Sequence, residues 1–379
     1  MFLKRFYLCR NLKTSRVSSE SLYASAFQNE LLEFAHKRVN EGGAPLKMRL
    51  VKGANLQMES IISSLKGWEV PIYDSKIEVD ANYLHLLDRG LQPENAKVLH
   101  VGVASHNFFS IAYAHLLSVK NKVEDFVTFE MLEGMANHLP RVMRSLGKQI
   151  ILYTPVVKDE HFLNAVSYLV RRMDENTGKD NFLTYSFNLK TDSEEWDFLQ
   201  KQFLEAYSLK DTISTASRRR QNRNLPVTPV ADLSRFKNEA DTNFDLKANR
   251  QWADSIRLKW KKPPEDATIN IPVQIGNEQF ESDQKLSFFD HSQTEKVCVY
   301  NVNLTNLEQS GDIVKTAEKD ASQWRKTKLE KRNEILHKVG YLLADKRGDL
   351  IGCMSAITGK TFMEGDVEVS EAIDFCRYY

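Results

Sequence analysis

Two adjacent arginines, Arg171 and Arg172, close an apolar helical pattern, and a carboxylate, Glu175, follows at helical spacing. Paired guanidiniums suit one small anion: each fork can grip a carboxylate through two parallel hydrogen bonds, and a second fork beside it adds selectivity. Glu175 lies about one turn beyond the pair and can hold one fork still. Tyr168 lies one turn before it. The alternative is a solvated charged face, or helix-end arginines that complement the dipole. The pair by itself leaves both readings open.

The elements that would carry these residues are legible upstream. Phe162, Leu163, Val166, Leu169 and Val170 recur at helical spacing, which predicts an amphipathic helix over 160–174. Met48 to Ala54 is a short β-rich run through Gly53, followed by a helical pattern from Asn55 to Leu65. Val98 to Ala104 is a second run, ending in Ser105, His106 and Asn107 and leading into a helix-like Phe108 to Val119. Asp125 to Leu132 is a third and Gln149 to Val156 a fourth. Strands alternating with amphipathic helices imply an α/β protein with a parallel sheet covered on its outer face. Polar residues stand where the strands stop, as in a (β/α)₈ barrel, whose sites gather at the carboxyl ends of its strands. Four strands are counted in the sequence, half of such a barrel.

These motifs, in this order, resemble a known family. Arg49-Leu50-Val51-Lys52-Gly53-Ala54, Ala104-Ser105-His106-Asn107, Phe129-Glu130-Met131-Leu132-Glu133-Gly134-Met135 and the run from Tyr168 to Glu175 are similar to the proline dehydrogenase barrel of proline utilization A. That family joins a flavin-dependent proline dehydrogenase to a pyrroline-5-carboxylate dehydrogenase of the aldehyde dehydrogenase superfamily. Further along, Trp324, Arg325, Arg332, Leu336, Arg347 to Ile351, Thr358-Gly359-Lys360, Glu364 and Asp366 to Phe375 resemble the start of an aldehyde dehydrogenase. The fold implied is the C-terminal half of a (β/α)₈ barrel followed by the N-terminal part of an aldehyde dehydrogenase domain. The boundaries expected are an unmatched basic N-terminus over 1–27, the half-barrel over 28–190, a linker or connector over 191–264, and the truncated second domain over 265–379.

The resemblance implies roles residue by residue. Arg49 would stand near the flavin N5 edge, where its charge favours the electron-rich reduced ring. Val51, Lys52, Gly53 and Ala54 would follow it along the FAD, with the lysine and the backbone N–H groups suited to the pyrophosphate. Ser105, His106 and Asn107 would add flavin contacts, and His106 has no second histidine or cysteine at ligand spacing, so no metal is expected. L-Proline would place its carboxylate on Arg171 and Arg172, oriented by Glu175, with Tyr153, Tyr168 and Leu132 lining the pocket. The product, 1-pyrroline-5-carboxylate, opens to glutamate semialdehyde, which an NAD-dependent aldehyde dehydrogenase would oxidise to glutamate.

The chain departs from the family in ways that bear on activity. The earlier barrel half is absent, Asn55 stands where many relatives carry an aromatic residue, and the second domain's nucleophile and NAD-binding sheet would lie beyond Tyr379. Neither catalytic centre is complete, so the expectation is a chain inactive alone. The alternative is a non-catalytic carboxylate-binding protein, or a structural remnant that pairs with another chain. Exposed strand edges further predict self-association as a homo-oligomer, or a complementing chain. Cys298, Cys353 and Cys376 fall outside the nucleophile motif, and four scattered cysteines without a Cys-x-x-Cys spacing read as reduced intracellular thiols.

Composition narrows the partners. Lys and Arg number 52 against 51 Asp and Glu, a balance that gives no global reason to expect nucleic acid or a membrane surface. The basic run Arg218 to Arg223 lies in a Ser/Thr/Pro/Asn-rich stretch without interleaved aromatics and reads as solvated linker. Asn238 to Trp260 reads as a connector, Gly359 as the end of a helix begun near Arg347, and Asp366 as the start of the next. No apolar run reaches the ~18 residues of a spanning helix. Residues 1–17 carry Lys4, Arg5, Arg10, Lys13 and Arg16 without an acid, which fits a transit peptide or untranslated sequence read through to an internal start. The compartment expected is the cytoplasm, or the mitochondrial matrix in the transit-peptide case.

Overall fold

The computed structural model describes residues 14–53, 56–175, 181–186, 189–229, 235–261, 268–291, 293–294 and 296–379; the side chains of Thr14, Leu56, Arg171 and 173–175 lie outside the description. The chain divides into two compact units, one running to Ile61 and resuming over Val70–Arg218, the other formed by Ile62–Glu69 and Arg219–Tyr379.

In the first unit the strands are β1 (Thr14–Ser18), β2 (Leu46–Val51), β3 (Leu99–Ala104), β4 (Val127–Leu132) and β5 (Ile150–Tyr153). They form one parallel sheet in sequence order. Helices α1 (Ala24–Asn40), α2 (Leu56–Lys66, whose residues from Ile62 on belong to the second unit), α3 (Lys76–Gly90), α4 (Phe108–Lys120) and α5 (His138–Ser145) intervene, and α6 (Phe162–Glu175) and α7 (Glu194–Leu209) follow. Strand periodicity sorts the side chains. Met48 and Leu50, Leu99, Val101 and Val103, and Val127, Phe129 and Met131 are buried in a core with Leu31 and Ala35 of α1, Leu84 and Leu87 of α3, and Ile111 and Ala114 of α4. The alternate positions, among them Lys47, Arg49, Gly102, Glu130, Leu132 and Tyr153, therefore share the opposite face.

Two expectations need correction here. The sheet has five strands among the described residues, not four, and the extra one lies inside the stretch taken as an unmatched basic N-terminus. Thr14–Ser18 is short and polar, with only Val17 in the apolar core, so no apolar run announces it; pairing with β2 defines it. Likewise α7, placed in the presumed linker, packs on α3 and α4 with Ala206 in the core and Phe203 against it. Its apolar stripe is interrupted by acids, which hides that role.

The second unit holds α8 (Lys247–Trp260), a sheet ordered β6 (Ile269–Ile271), β10 (Cys298–Asn303), β9 (Lys285–Phe289), and a hairpin of β7 (Val273–Ile275) and β8 (Glu278–Phe280). Helices α9 (Leu307–Lys319), α10 (Leu329–Asp345), α11 (Arg347–Thr358) and α12 (Phe362–Tyr378) complete it around Ala344, Ile351, Val369 and Ile373. Gly359 ends α11 in the left-handed region, φ +72°, as its sequence position implies. Asp366 does not open the next helix. Thr361 and Glu364 form a reciprocal capping box that starts α12, and Asp366 lies inside it, 1% exposed and ion-paired with Arg347 at 2.8 Å.

The basic run is not a solvated linker either. In the first unit Arg218 pairs with Asp74. In the second, Arg219 is buried, donates to the Glu69 carbonyl and the Ser63 hydroxyl at 2.9 Å each, and stacks on the Trp68 ring. Arg223 donates to Thr242 and pairs with Glu239. Composition suggests solvation here, but backbone carbonyls and carboxylates distant in sequence satisfy these guanidiniums.

Candidate functional site

The inner face of the first sheet carries charge where the outer face carries core. Arg16, Arg49, Gly102 and Thr128 stand side by side in register across β1 to β4. Val51, Ala104 and Glu130 form the next row, and Leu132 pairs with Tyr153 beyond it. Arg49 Nε donates to the Glu130 carboxylate at 2.7 Å, and Lys47 Nζ reaches its other oxygen at 2.8 Å. The Arg49 guanidinium also lies 4.3 Å from the centre of the Tyr153 ring. Contact between β2 and β5 side chains, with two strands between them, requires a strongly curved sheet, the geometry of a barrel wall. Burial, then a hydrogen bond to Glu130, raises the Tyr153 phenol above its ordinary pKa.

Arg16, beside Arg49 in the sheet, feels the charges of α6. Desolvation and then the adjacent Arg49 charge lower its pKa, and Arg172 and Tyr168 also act on it. On α6 itself the Arg172 guanidinium sits over the Tyr168 ring, 5.1 Å from its centre. Of the expected substrate residues, Tyr153 touches Arg49, while Tyr168 and Arg172 act electrostatically on the neighbouring Arg16. The side chains of Arg171 and Glu175 lie outside the description.

At the carboxyl end of β3, Ser105 Oγ accepts from Asn107 N at 3.0 Å, and Asn107 caps α4 by accepting from Ser110 N at 3.1 Å. His106 Nε2 accepts from Leu132 N at 3.1 Å, which places the proton of the neutral ring on Nδ1. Burial lowers its pKa and favours the neutral ring that can accept this bond. At the end of β2, Lys52 is turned onto Asp80 at 2.9 Å, and burial depresses its pKa to about 8. The Glu20 carboxylate fills the space above Gly53, where a Cβ would overlap it. Ala54 lies outside the described residues. Of the residues expected at the flavin, Arg49 thus stands in a cluster with Glu130 and Tyr153. Of those expected at its phosphates, Lys52 is engaged by Asp80 and Asn107 caps α4.

Glu130, Lys47 and Arg16 join the site without having been singled out in the sequence. A carboxylate between Phe129 and Met131 was the available signal for Glu130: in a strand with one buried face, an acid at the alternate position faces the other side.

Two family descriptions match the chain: proline dehydrogenase over residues 23–185, and the aldehyde dehydrogenase family over residues 280–379. The bifunctional protein PutA of Escherichia coli strain K12 is 25% identical over 354 residues, covering 88% of this chain and 25% of that protein. Solved PutA structures from Bdellovibrio bacteriovorus and Corynebacterium freiburgense are 27% and 31% identical with TM-scores of 0.70 and 0.65, each covering 97% of this chain. The chain belongs to the proline utilization A family. It spans between a quarter and about a third of the length of these relatives. Proline utilization A is a family of oxidoreductases, so the first unit corresponds to a proline dehydrogenase domain of barrel type and the second to the start of an aldehyde dehydrogenase domain. A 1-pyrroline-5-carboxylate dehydrogenase from Geobacillus sp. strain WCH70 is 28% identical over 144 residues, 38% of this chain and 27% of that protein. Among the described residues, no helix is long and apolar enough to cross a membrane.

Proposed function

We propose that this chain acts in proline catabolism, its first unit furnishing part of an FAD-dependent site that oxidises L-proline to 1-pyrroline-5-carboxylate. The second unit begins the NAD-dependent domain that oxidises glutamate semialdehyde to glutamate. The observation that supports this most is Arg49 on the inner face, resting on Tyr153 and standing beside Arg16, on which Arg172 and Tyr168 act electrostatically.

FAD, when bound, supplies a two-electron acceptor: a C–H bond beside the proline nitrogen gives up hydride, the nitrogen gives up a proton, and a C=N bond forms. The chain's own residues bind and orient. Arg172, with Arg171 beside it, takes the carboxylate; Tyr153, Tyr168 and Leu132 wall the ring; Arg49 favours the electron-rich reduced state. Ser105, neutral His106 and Asn107 stand at the helix start suited to phosphate. Mixing the purified chain with FAD, removing oxygen and adding L-proline tests this. Bound flavin upholds the reading, bleaching with proline further overturns the expectation of a chain inactive alone, and absence of FAD binding overturns the flavin site for this chain while leaving the family intact.

A further inference from the structure

Glu130 has no task in the chemistry above, yet its placement is costly. A carboxylate 1% exposed would ordinarily lose stability through desolvation unless well paired. It belongs to β4, but its two cationic partners, Lys47 and Arg49, belong to β2, so the side chain has to pass over β3. The passage exists because the residue beneath is Gly102: a Cβ there would overlap the Glu130 carboxylate. On β5, the Tyr153 ring supports the Arg49 guanidinium that the same carboxylate holds. Glu130 therefore ties β4 to β2 directly and, through Arg49, the residue expected near the flavin N5 edge, to Tyr153 of β5.

We propose that Glu130, lying in the gap left by Gly102, is the positioning residue that fixes Arg49 against Tyr153 and offsets one of the two positive charges of Lys47 and Arg49 facing the flavin. This rests on the FAD reading of the site. A long arginine side chain without such an anchor samples many rotamers, and its charge reaches the ring only part of the time. With Glu130 in place the pair of cations and the carboxylate sum to one positive charge at a fixed point; without it, two positive charges remain.

The test uses the whole chain as wild type, Glu130→Gln and Gly102→Ala. Gly102→Ala displaces the carboxylate while leaving Arg49, Lys47 and Tyr153 intact, so either variant can carry the result if the other folds poorly. The first readout is hydrogen exchange at the Arg49 Nε–H in the flavin-free chain, assigned by Arg49→Lys. Exchange about tenfold faster in both variants is expected when a charge-assisted bond is weakened or lost. The second is the midpoint potential of bound FAD, which should rise in Glu130→Gln because uncompensated positive charge favours the reduced ring. Unchanged exchange in the folded variants overturns the proposal, and faster exchange with an unchanged potential reduces Glu130 to a structural ion pair and overturns it too. If the wild-type chain takes up no FAD, the flavin reading fails by itself, while the exchange measurement still upholds or overturns Glu130 as the anchor of Arg49.

Discussion

Replacing Asp366 by Asn should cripple the second unit, and the structure sets the size of the effect. The Asp366 carboxylate accepts from Thr242 N at 2.6 Å, from Thr242 Oγ1 at 2.5 Å and from Arg347 Nη1 at 2.8 Å. Both members of the pair are 2% exposed at the side chain. Arg347 also reaches Glu239 at 3.0 Å, but Glu239 is shared with Arg377 at 2.9 Å and Arg223 at 3.4 Å. Three arginines thus face two carboxylates, and Asp366→Asn leaves three facing one. Breaking a buried pair from one side costs about 3–5 kcal/mol, and the remaining share of Glu239 favours the lower end, about 3. With a urea slope of about 2 kcal/mol/M, the unfolding midpoint should fall by about 1.5 M. Tryptophan fluorescence reports it, since Trp68, Trp252, Trp260 and Trp324 lie in this unit and Trp196 in the other. Arg347→Met alone should also be costly, whereas the double variant should cost far less than the sum of the two. A loss below about 1 kcal/mol for Asp366→Asn, or strict additivity in the double variant, would refute the reasoning.

Other variants probe individual contacts. Lys52 has its folded pKa depressed to about 8 from 10.5, so the unfolded chain binds more protons between those values and stability should rise with pH over that window; urea midpoints from pH 8 to 10 should climb in wild type and stay flatter in Lys52→Met. Arg219→Ala should cost about 1.5–3 kcal/mol through its lost bonds to Glu69 and Ser63, with a red shift of Trp68 emission, and Arg219→Lys should restore little because an ammonium lacks the fork. Gly352→Ala drives a Cβ into the Trp260 indole and should destabilise the second unit by about 1–3 kcal/mol, seen as a lower thermal midpoint.

By itself the sequence determined the elements whose signals are local. The β-rich runs Met48 to Ala54 and Val98 to Ala104, which overlap the strands Leu46–Val51 and Leu99–Ala104, the amphipathic pattern ending at Arg171 and Arg172, and Gly359 after α11 all depend on neighbours a few residues away. The order of those motifs was enough to find the family and to nominate Arg49, Tyr153, Tyr168 and Arg172. Tertiary structure alone decided which polar residues are buried and what satisfies them. β1 is a strand because β2 offers it a backbone to pair with; Arg219 and Arg347 are structural because Ser63, Glu69, Glu239 and Asp366 lie across the fold from them. Glu130 meets Arg49 from 81 positions away, over a strand whose only contribution is the missing side chain of Gly102. Helical and strand periodicities are set by short-range backbone geometry, whereas the partner of a buried charge is set by how the curved sheet brings distant strands together.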